Sequence, residues 1–454
     1  MMTAPANGSE CRPSDDQRDP ARRGEMQVMQ ICTTAVCGGA ARAAHRLHRA
    51  LAQEGVHSRM LVAQKFGADE DTLEYNPLAP APPALGRLFF RLCRRWHRPA
   101  FRKAGAYFTP DRTPIGWRLA AQLPACDLVH LHWVADLLDY RMLPRLAARV
   151  PVVWTFHDMN AFTGGCHYSG PCTGYMGRCG ACPQLKTSAG ENDLTRGVMN
   201  RKLLVFARIP PSRLVIVCPS RWLAREARHS LLCKNLDIRI IPNGIDAEEY
   251  HPMEQVEARR RLSLPAGAKI VLFVADFIED TRKGLPLLLT ALESIRNIPD
   301  LLLVTLGRGS ASCLSEPVFR HLGVLNNIEL LRAAYSAADV FAIPSLQDNL
   351  PNTVLESMAC GTPVVGFDSG GISEAISEGQ TGLLAPSGRA PDLGRALRRI
   401  LEDKILRQSM AVESRRRIVK EYTAQLQARR HASLYQEILQ RAPTQTAISK
   451  SCRA

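Results

Sequence analysis

Two successive series of short apolar runs, each alternating with helical periods, predict a pair of doubly wound α/β domains. A chain of 454 residues is too long for one ordinary core, so more than one domain is expected. A turn-rich break, Pro242-Asn-Gly244-Ile-Asp246 with His251-Pro252, falls between the two series. The first series has strand candidates at Val28–Cys32, Arg59–Ala63, Leu128–Trp133, Val150–Phe156, Leu214–Cys218 and Ile238–Pro242. The second has Ile270–Ala275, Leu301–Leu306, Val340–Pro344, Pro363–Phe367 and Gly382–Leu384. Helices are expected at Leu285–Arg296, Ile328–Ala338 and Leu393–Leu401, and the charged stretch Ile405–Leu439 is helical in pattern. The organisation read from this is a disordered tail at 1–25, a first domain at 26–245, a second at 246–404, C-terminal helices at 405–440 and a loose tail at 441–454.

Composition narrows the class. An apolar share of 46% is that of a globular protein, and no apolar run approaches the roughly 18 residues of a spanning helix. The first 25 residues are polar and lack the apolar stretch of a signal peptide, so a cytoplasmic protein is expected, with its 14 cysteines reduced or metal-bound. The net charge of +15 fits nucleic acid, an anionic membrane surface or anionic substrates. From Leu85 to Lys103 seven cations interleave with large apolar side chains. On a helix Leu88, Phe89, Leu92 and Trp96 share one face. That pattern is read as a basic amphipathic helix at a membrane surface; the alternative is a surface helix with a core-facing stripe. No helix-turn-helix, RRM or finger pattern supports specific nucleic-acid binding.

The most informative segment is Asp348-Asn-Leu-Pro-Asn-Thr-Val-Leu-Glu356-Ser-Met-Ala-Cys-Gly361-Thr-Pro363. It holds two carboxylates with seven residues between them, the first in a loop and the second early in a short helix. A loop acid grips sugar hydroxyls, and a helix N-terminus faces an anion; a nucleotide-sugar needs both at adjacent points. The plainer reading of Glu356 alone is an acid satisfying the helix dipole.

Leu350-Pro-Asn-Thr-Val-Leu-Glu356 through Gly-Thr-Pro363, followed by Gly370-Gly371-Ile372, resembles the donor-binding signature of retaining glycosyltransferase family 4. The family's first acid is usually Glu; here Asp348 is one methylene shorter. In detail the chain resembles bacterial exopolysaccharide glycosyltransferases of the colanic-acid type, from about Met26 to about Arg430. The resemblance implies the GT-B fold, two facing Rossmann-like domains with a cleft between them, and C-terminal helices that cross back over the first domain. It implies a hexosyltransferase that needs no cofactor for catalysis.

Site residues follow from both lines of reasoning. Cys37-Gly38-Gly39 follows the first strand and opens a helix, where the backbone approaches a ligand closely. The family puts its acceptor and diphosphate loop there. Arg282-Lys283-Gly284 follows the first strand of the second domain, and a departing diphosphate without Mg²⁺ needs cations at its oxygens. Lys283 matches the family's Lys-Gly. Ala275-Asp276 stands where many members have Gly-Arg, so Arg282 is expected to take over that arginine's task. His157-Asp158 ends the fourth strand, where α/β sheets place ligands, and matches a family His-Asp; the alternative is a satisfied structural histidine. His130 and His132 point to the same face. By resemblance Glu356 binds the ribose and Asp348 the transferring sugar. Asn349, Leu350 and Asn352 would approach that sugar, Gly370 and Gly371 would lie near the diphosphate, and Gly323 would flank the base.

Cys166, Cys172, Cys179 and Cys182 fall within 17 residues, in a loop at 158–185, where an even spread predicts about half a cysteine. The readings are a structural Cys₄ zinc site, unligated thiols, or a redox pair or disulfides, with His167 as an alternative ligand. The function expected is transfer of a sugar from a nucleotide-diphosphate donor to a hydroxyl of a lipid-linked saccharide at the inner membrane face. The alternatives are a nucleotide-sugar 2-epimerase, a degenerate GT-B protein, and a zinc-containing module that binds without transferring.

Overall fold

The computed structural model describes residues 25–66, 69–97, 108–185, 190–309 and 319–441, with the side chains of residues 94–97 left out. The expected tails, apart from Glu25 and Arg441, lie outside these residues, as do the cations Arg98, Arg102 and Lys103. The side-chain placement expected of Trp96 also falls outside the description.

Thirteen strands form two wholly parallel sheets among the described residues. The first holds β1 (Met26–Thr34), β2 (Val56–Gln64), β3 (Thr72–Glu74), β4 (Leu128–Leu131), β5 (Val152–Thr155), β6 (Leu214–Cys218) and β7 (Asp237–Ile240), in the order β3-β2-β1-β4-β5-β6-β7. The second holds β8 (Lys269–Phe277), β9 (Leu301–Arg308), β10 (Phe319–His321), β11 (Val340–Ile343), β12 (Val364–Asp368) and β13 (Gly382–Pro386), in the order β10-β9-β8-β11-β12-β13. Strands buried on both faces read as continuous apolar runs, which is why β6 (Leu-Val-Ile-Val-Cys) and β11 (Val-Phe-Ala-Ile) are buried at every residue. The edge strands β3 and β10 were not expected from sequence; three residues at a sheet edge carry no such run.

Alternate residues of the first sheet supply two cores. Val28, Leu128, Val153 and Val215 pack on one face with Ala428, Leu434 and Tyr435 of the C-terminal helix Ala424–Arg441. Ile31, Leu131, Trp154 and Ile216 pack on the other. The preceding helix, Lys404–Glu421, lies on the second unit against the Asn352–Ala359 helix. The chain thus crosses between units twice, and the two crossings touch. Ile245 N–H donates to Tyr422 O at 2.8 Å and Ala424 N–H to Ile245 O at 2.9 Å. A Cβ at Gly244 would sit 2.6 Å from Thr423 O, so glycine is required for that approach.

Each sheet reverses its strand order once, between β1 and β4 and between β8 and β11. Ligands of open α/β sheets bind beyond the carboxyl ends at such points. The loops after β1, β8 and β11, and the turn after β5 beside the first reversal, bear Gly38-Gly39, Arg282-Lys283, Asp348-Asn349 and His157 respectively.

The basic helix forms at Pro83–His97, but its apolar stripe does not face the core. Phe90 is buried, whereas Leu85, Leu88 and Leu92 are each about half exposed, at 50%, 49% and 49%. Among the described residues no helix is long and apolar enough to cross a membrane.

Candidate active site

Asp348 and Lys283 meet in the cleft. Lys283 Nζ lies 2.5 Å from Asp348 Oδ2, and Arg282 Nη1 lies 3.5 Å from the same oxygen. Asp348 Oδ1 accepts from Tyr168 OH and from Asn349 N–H, both at 3.1 Å. Burial by itself would raise the Asp348 carboxyl, but Lys283 and Arg282 outweigh it and hold the group down at about 2. The two residues expected to grip sugar and diphosphate separately are thus paired with each other.

Arg282 is engaged within the protein in this arrangement. Its guanidinium donates to Gln347 O at 2.8 Å and Asp280 Oδ2 at 3.1 Å, and stacks 4.3 Å from the Tyr168 ring centroid. It is the brace that holds the Asp348 loop. At the departure from the usual Gly-Arg, Asp276 pairs with Arg308 at 2.5 Å on the surface.

Glu356 is the fifth residue of the Asn352–Ala359 helix, beyond its first turn, so helix-dipole compensation does not account for it. It is buried, accepts from Tyr335 OH at 2.8 Å and faces Arg46 Nη1 of the opposite unit at 3.8 Å. Arg46 Nη2 and Asn352 Oδ1 are buried without a hydrogen-bond partner. Asn352 Nδ2 donates to Gly39 O at 2.8 Å, so this helix start meets the glycine loop directly. Gly38, at φ 89°, caps the Gly39–Leu51 helix, and a Cβ there would meet open space.

Three other expected donor contacts serve the scaffold. Asn349 spans the cleft: its Nδ2 donates to His157 O at 3.2 Å, and its Oδ1 accepts from Ser220 Oγ at 2.6 Å. Leu350 is part of the second unit's core. Gly370 and Gly371 press against the Asp348–Asn349 backbone; a Cβ at either would lie 2.0 or 2.1 Å from the carbonyl oxygen of Asp348 or Asn349. Their close approach aims Asp348. Gly323 sits at φ 68°, its carbonyl accepting from Gly307 N–H at 2.8 Å.

His157 is half-buried, and burial lowers its pKa to about 4, so the ring is neutral at pH 7. Its Nε2 lies 3.2 Å from Nδ1 of His132, which is fully enclosed. Asp158 turns away from the cleft: it accepts from Trp133 Nε1 at 3.0 Å and pairs with His167 at 2.6 Å. Thr109 holds the other nitrogen of His167, which stands as a loop anchor.

The four loop cysteines stand in one another's electrostatic field, every pair of them. Gly174 N–H reaches Cys172 Sγ at 3.4 Å, and Cys179-Gly-Ala turns through positive φ values of 52°, 109° and 46°. Among the described residues no three His, Cys, Asp or Glu side chains are gathered so as to hold a metal ion. All four thiols are free of disulfides.

Sequence reasoning missed Arg46, Tyr335, Tyr168 and Gln30. Arg42 and Arg46 at i, i+4 behind the glycine loop were the available signal for a basic helix face on the cleft.

Two family descriptions match the chain. Residues 37–249 match "Glycosyltransferase Family 4", and residues 268–403 match "Glycosyl transferases group 1". D-inositol 3-phosphate glycosyltransferase of Nocardia farcinica is 29% identical over 305 residues, covering 63% of this chain and 61% of that one. The putative teichuronic acid biosynthesis glycosyltransferase TuaC of Bacillus subtilis is 27% identical over 290 residues, covering 63% of this chain and 64% of that one. The chain therefore spans less than two thirds of each of these relatives. Among solved structures, sucrose-phosphate synthase from Thermosynechococcus elongatus superposes with a TM-score of 0.63 at 20% identity, over 92% of this chain and 100% of that one. Anabaena HepE in complex with UDP gives 0.61 at 15%, over 91% and 100%. At these identities the structural likeness establishes the fold, which is GT-B, and the family matches support a glycosyltransferase.

Proposed function

We propose that this chain is a retaining glycosyltransferase that moves a sugar from a nucleotide diphosphate to a hydroxyl of a lipid-linked saccharide. The observation that carries the reading is the Lys283–Asp348 pair where the two switch points face each other. Neither charge can be left buried and alone without a cost of several kcal/mol. A nucleotide-sugar supplies both replacements together: diphosphate oxygens for Lys283 and sugar hydroxyls for Asp348. Arg282 and Tyr168 keep Asp348 in place during the exchange. Glu356 accepts the ribose hydroxyls, and the unpartnered Arg46 Nη2 beside it is a donor for the nucleotide's oxygens. The UDP and UDP-glucose complexes of HepE concern that protein, and they favour the same ligand class here.

With the donor bound Asp348 is taken up by sugar hydroxyls, so same-face attack suits the site better than a covalent intermediate. The acceptor oxygen bonds to the anomeric carbon as the carbon–phosphate oxygen bond breaks, and the departing phosphate takes the acceptor's proton. Lys283 stabilises the charge that develops on that phosphate. No external cofactor enters this scheme.

The lipid-linked acceptor and exopolysaccharide role rest on the Pro83–His97 helix, whose exposed Leu85, Leu88 and Leu92 alternate with Arg87 and Arg91. Such a face suits an anionic bilayer and a peripheral position at the cytoplasmic side. For the cysteine loop we propose a structural zinc drawn in by Cys166, Cys172, Cys179 and Cys182, a donor set that zinc prefers. Metal analysis of purified protein finding no zinc would remove that part. The main reading is tested by thermal shift against UDP, GDP, ADP and their sugars, followed by transfer assays with the stabilising donor. A flat response to every nucleotide would overturn it.

A further inference from the structure

A chain of hydrogen bonds crosses the first sheet from the cleft to the far side of the unit. His157 Nε2 lies 3.2 Å from His132 Nδ1, and His132 Nε2 lies 2.7 Å from Gln30 Oε1. Gln30 Nε2 donates to Ser58 Oγ at 2.9 Å, and Ser58 Oγ lies 2.9 Å from His48 Nδ1. His48 Nε2 then faces Asp69 Oδ2 at 3.6 Å, at the mouth of a cleft lined by His45, Arg49 and Asp71. Gln30 and His132 come from the neighbouring strands β1 and β4, whose order switch opens on the active site. Gln30 is fully buried, with both ends of its amide engaged.

The chain has a direction. An amide oxygen only accepts, so His132 Nε2 carries the hydrogen. His132 is neutral because burial keeps it so, which leaves its Nδ1 as an acceptor. The partner nitrogen of His157 must then be the donor. On the other side Ser58 Oγ receives from Gln30 and meets His48 Nδ1. From His157 to Ser58 every link points the same way.

We propose that Gln30 is a positioning residue that acts through His132 to fix His157 in the Nε2–H tautomer, so that Nδ1 of His157 meets the donor sugar as a hydrogen-bond acceptor. That His157, at the end of β5 on the cleft, meets the sugar is part of this proposal and rests on the transferase reading above; the tautomer does not. A ring locked this way accepts from a sugar hydroxyl and cannot donate to one at that nitrogen. The sugar group it selects is therefore a hydroxyl rather than a bare acceptor oxygen. His157 itself is the group in contact with substrate, and Gln30, buried behind it, touches none.

The test uses the full chain labelled with ¹⁵N-histidine and no donor present. Long-range proton–nitrogen correlations, with His157 assigned by its absence in His157→Gln, are expected to show a bare Nδ1 and a protonated Nε2. Protonation at Nδ1 in the unsubstituted protein would overturn the proposal. Gln30→Met keeps the volume but loses both hydrogen bonds, and a second His157 tautomer is expected to appear. With that variant folded by its thermal melt, an unchanged single tautomer would also overturn the proposal. Should Gln30→Met not fold, the tautomer of the unsubstituted protein decides alone. In transfer assays Gln30→Met is expected to lower kcat roughly tenfold, about the rate equivalent of one hydrogen bond, with KM for the donor little changed. A tautomer that responds as expected while kcat stays unchanged would leave the wiring intact and remove His157 from the chemistry.

Discussion

The two walls of the cleft are built on opposite electrostatic plans. The wall from the second unit carries fixed charge: buried Asp348 with half-buried Lys283 and Arg282, and Glu356 close by. The wall from the first unit is neutral at its centre, where His130, His132 and His157 lie with Gln30 among strands β1, β4 and β5. The difference teaches how such a site divides its work. On the function proposed above, charge is kept where the ligand brings compensating charge, on the diphosphate. Neutral, directed hydrogen bonds are kept where the ligand brings only hydroxyls. A charged histidine buried in that wall would cost the fold the desolvation of an unpaired cation.

The largest expected effect strikes the charged wall. Lys283→Ala removes the cation from the leaving group and should cut kcat by about 10² to 10³, the range for one lost charge-stabilising donor. Steady-state turnover with the stabilising donor checks it, and unchanged turnover would take Lys283 out of the site. Glu356→Ala should come next. It should abolish the thermal shift given by the cognate nucleoside diphosphate, and leave Tyr335 OH and Arg46 short of a partner at a cost of about 1–3 kcal/mol in stability.

Acid should separate the two walls. His157 and His431 have their pKa values lowered by burial to about 4 from 6.5. The unfolded chain takes up those protons first, so stability should fall as pH drops from 6.5 towards 4, by several kcal/mol for the two together at most. Asp348 behaves in the same sense but in a lower window. Its depressed carboxyl contributes stability that is complete above about 3.8 and is lost only as pH falls towards 2. Denaturant melts across this range should therefore show the neutral wall failing first; a flat profile between 6.5 and 4 would contradict the assignment. The smallest effect is expected outside the cleft. Leu88→Asp with Leu92→Asp should weaken sedimentation with anionic vesicles several-fold while leaving thermal stability nearly unchanged, since both side chains are half exposed.

The charged wall was legible because it is local in sequence. Asp348 and Glu356 sit in one short segment, and Lys283-Gly284 marks its own helix start. Their partners were not legible. Tyr168 reaches Asp348 from 180 positions away and Arg46 reaches Glu356 from the other unit. The neutral wall left a faint clue, a glutamine between apolar residues in the middle of β1. Its meaning depends on His132, 102 positions on. The stripe of the basic helix was legible as a stripe, but which residue turned inward was not. Phe90 is buried and Leu88 exposed because the neighbouring surface, rather than helical periodicity, decides the buried side.

By itself the sequence determined two parallel, doubly wound sheets and the donor-binding segment. Apolar runs, helical periods and glycine turns act over a few residues, and short-range sterics and burial are enough to express them. Only the tertiary structure decided that Lys283 pairs with Asp348, that Arg282 braces the Asp348 loop, that Asn349 ties the units together, and that the histidines form one directed chain. Those outcomes depend on which loops meet across the cleft. A buried charge or amide takes whichever partner the packing brings within about 3 Å, and no local pattern records that choice.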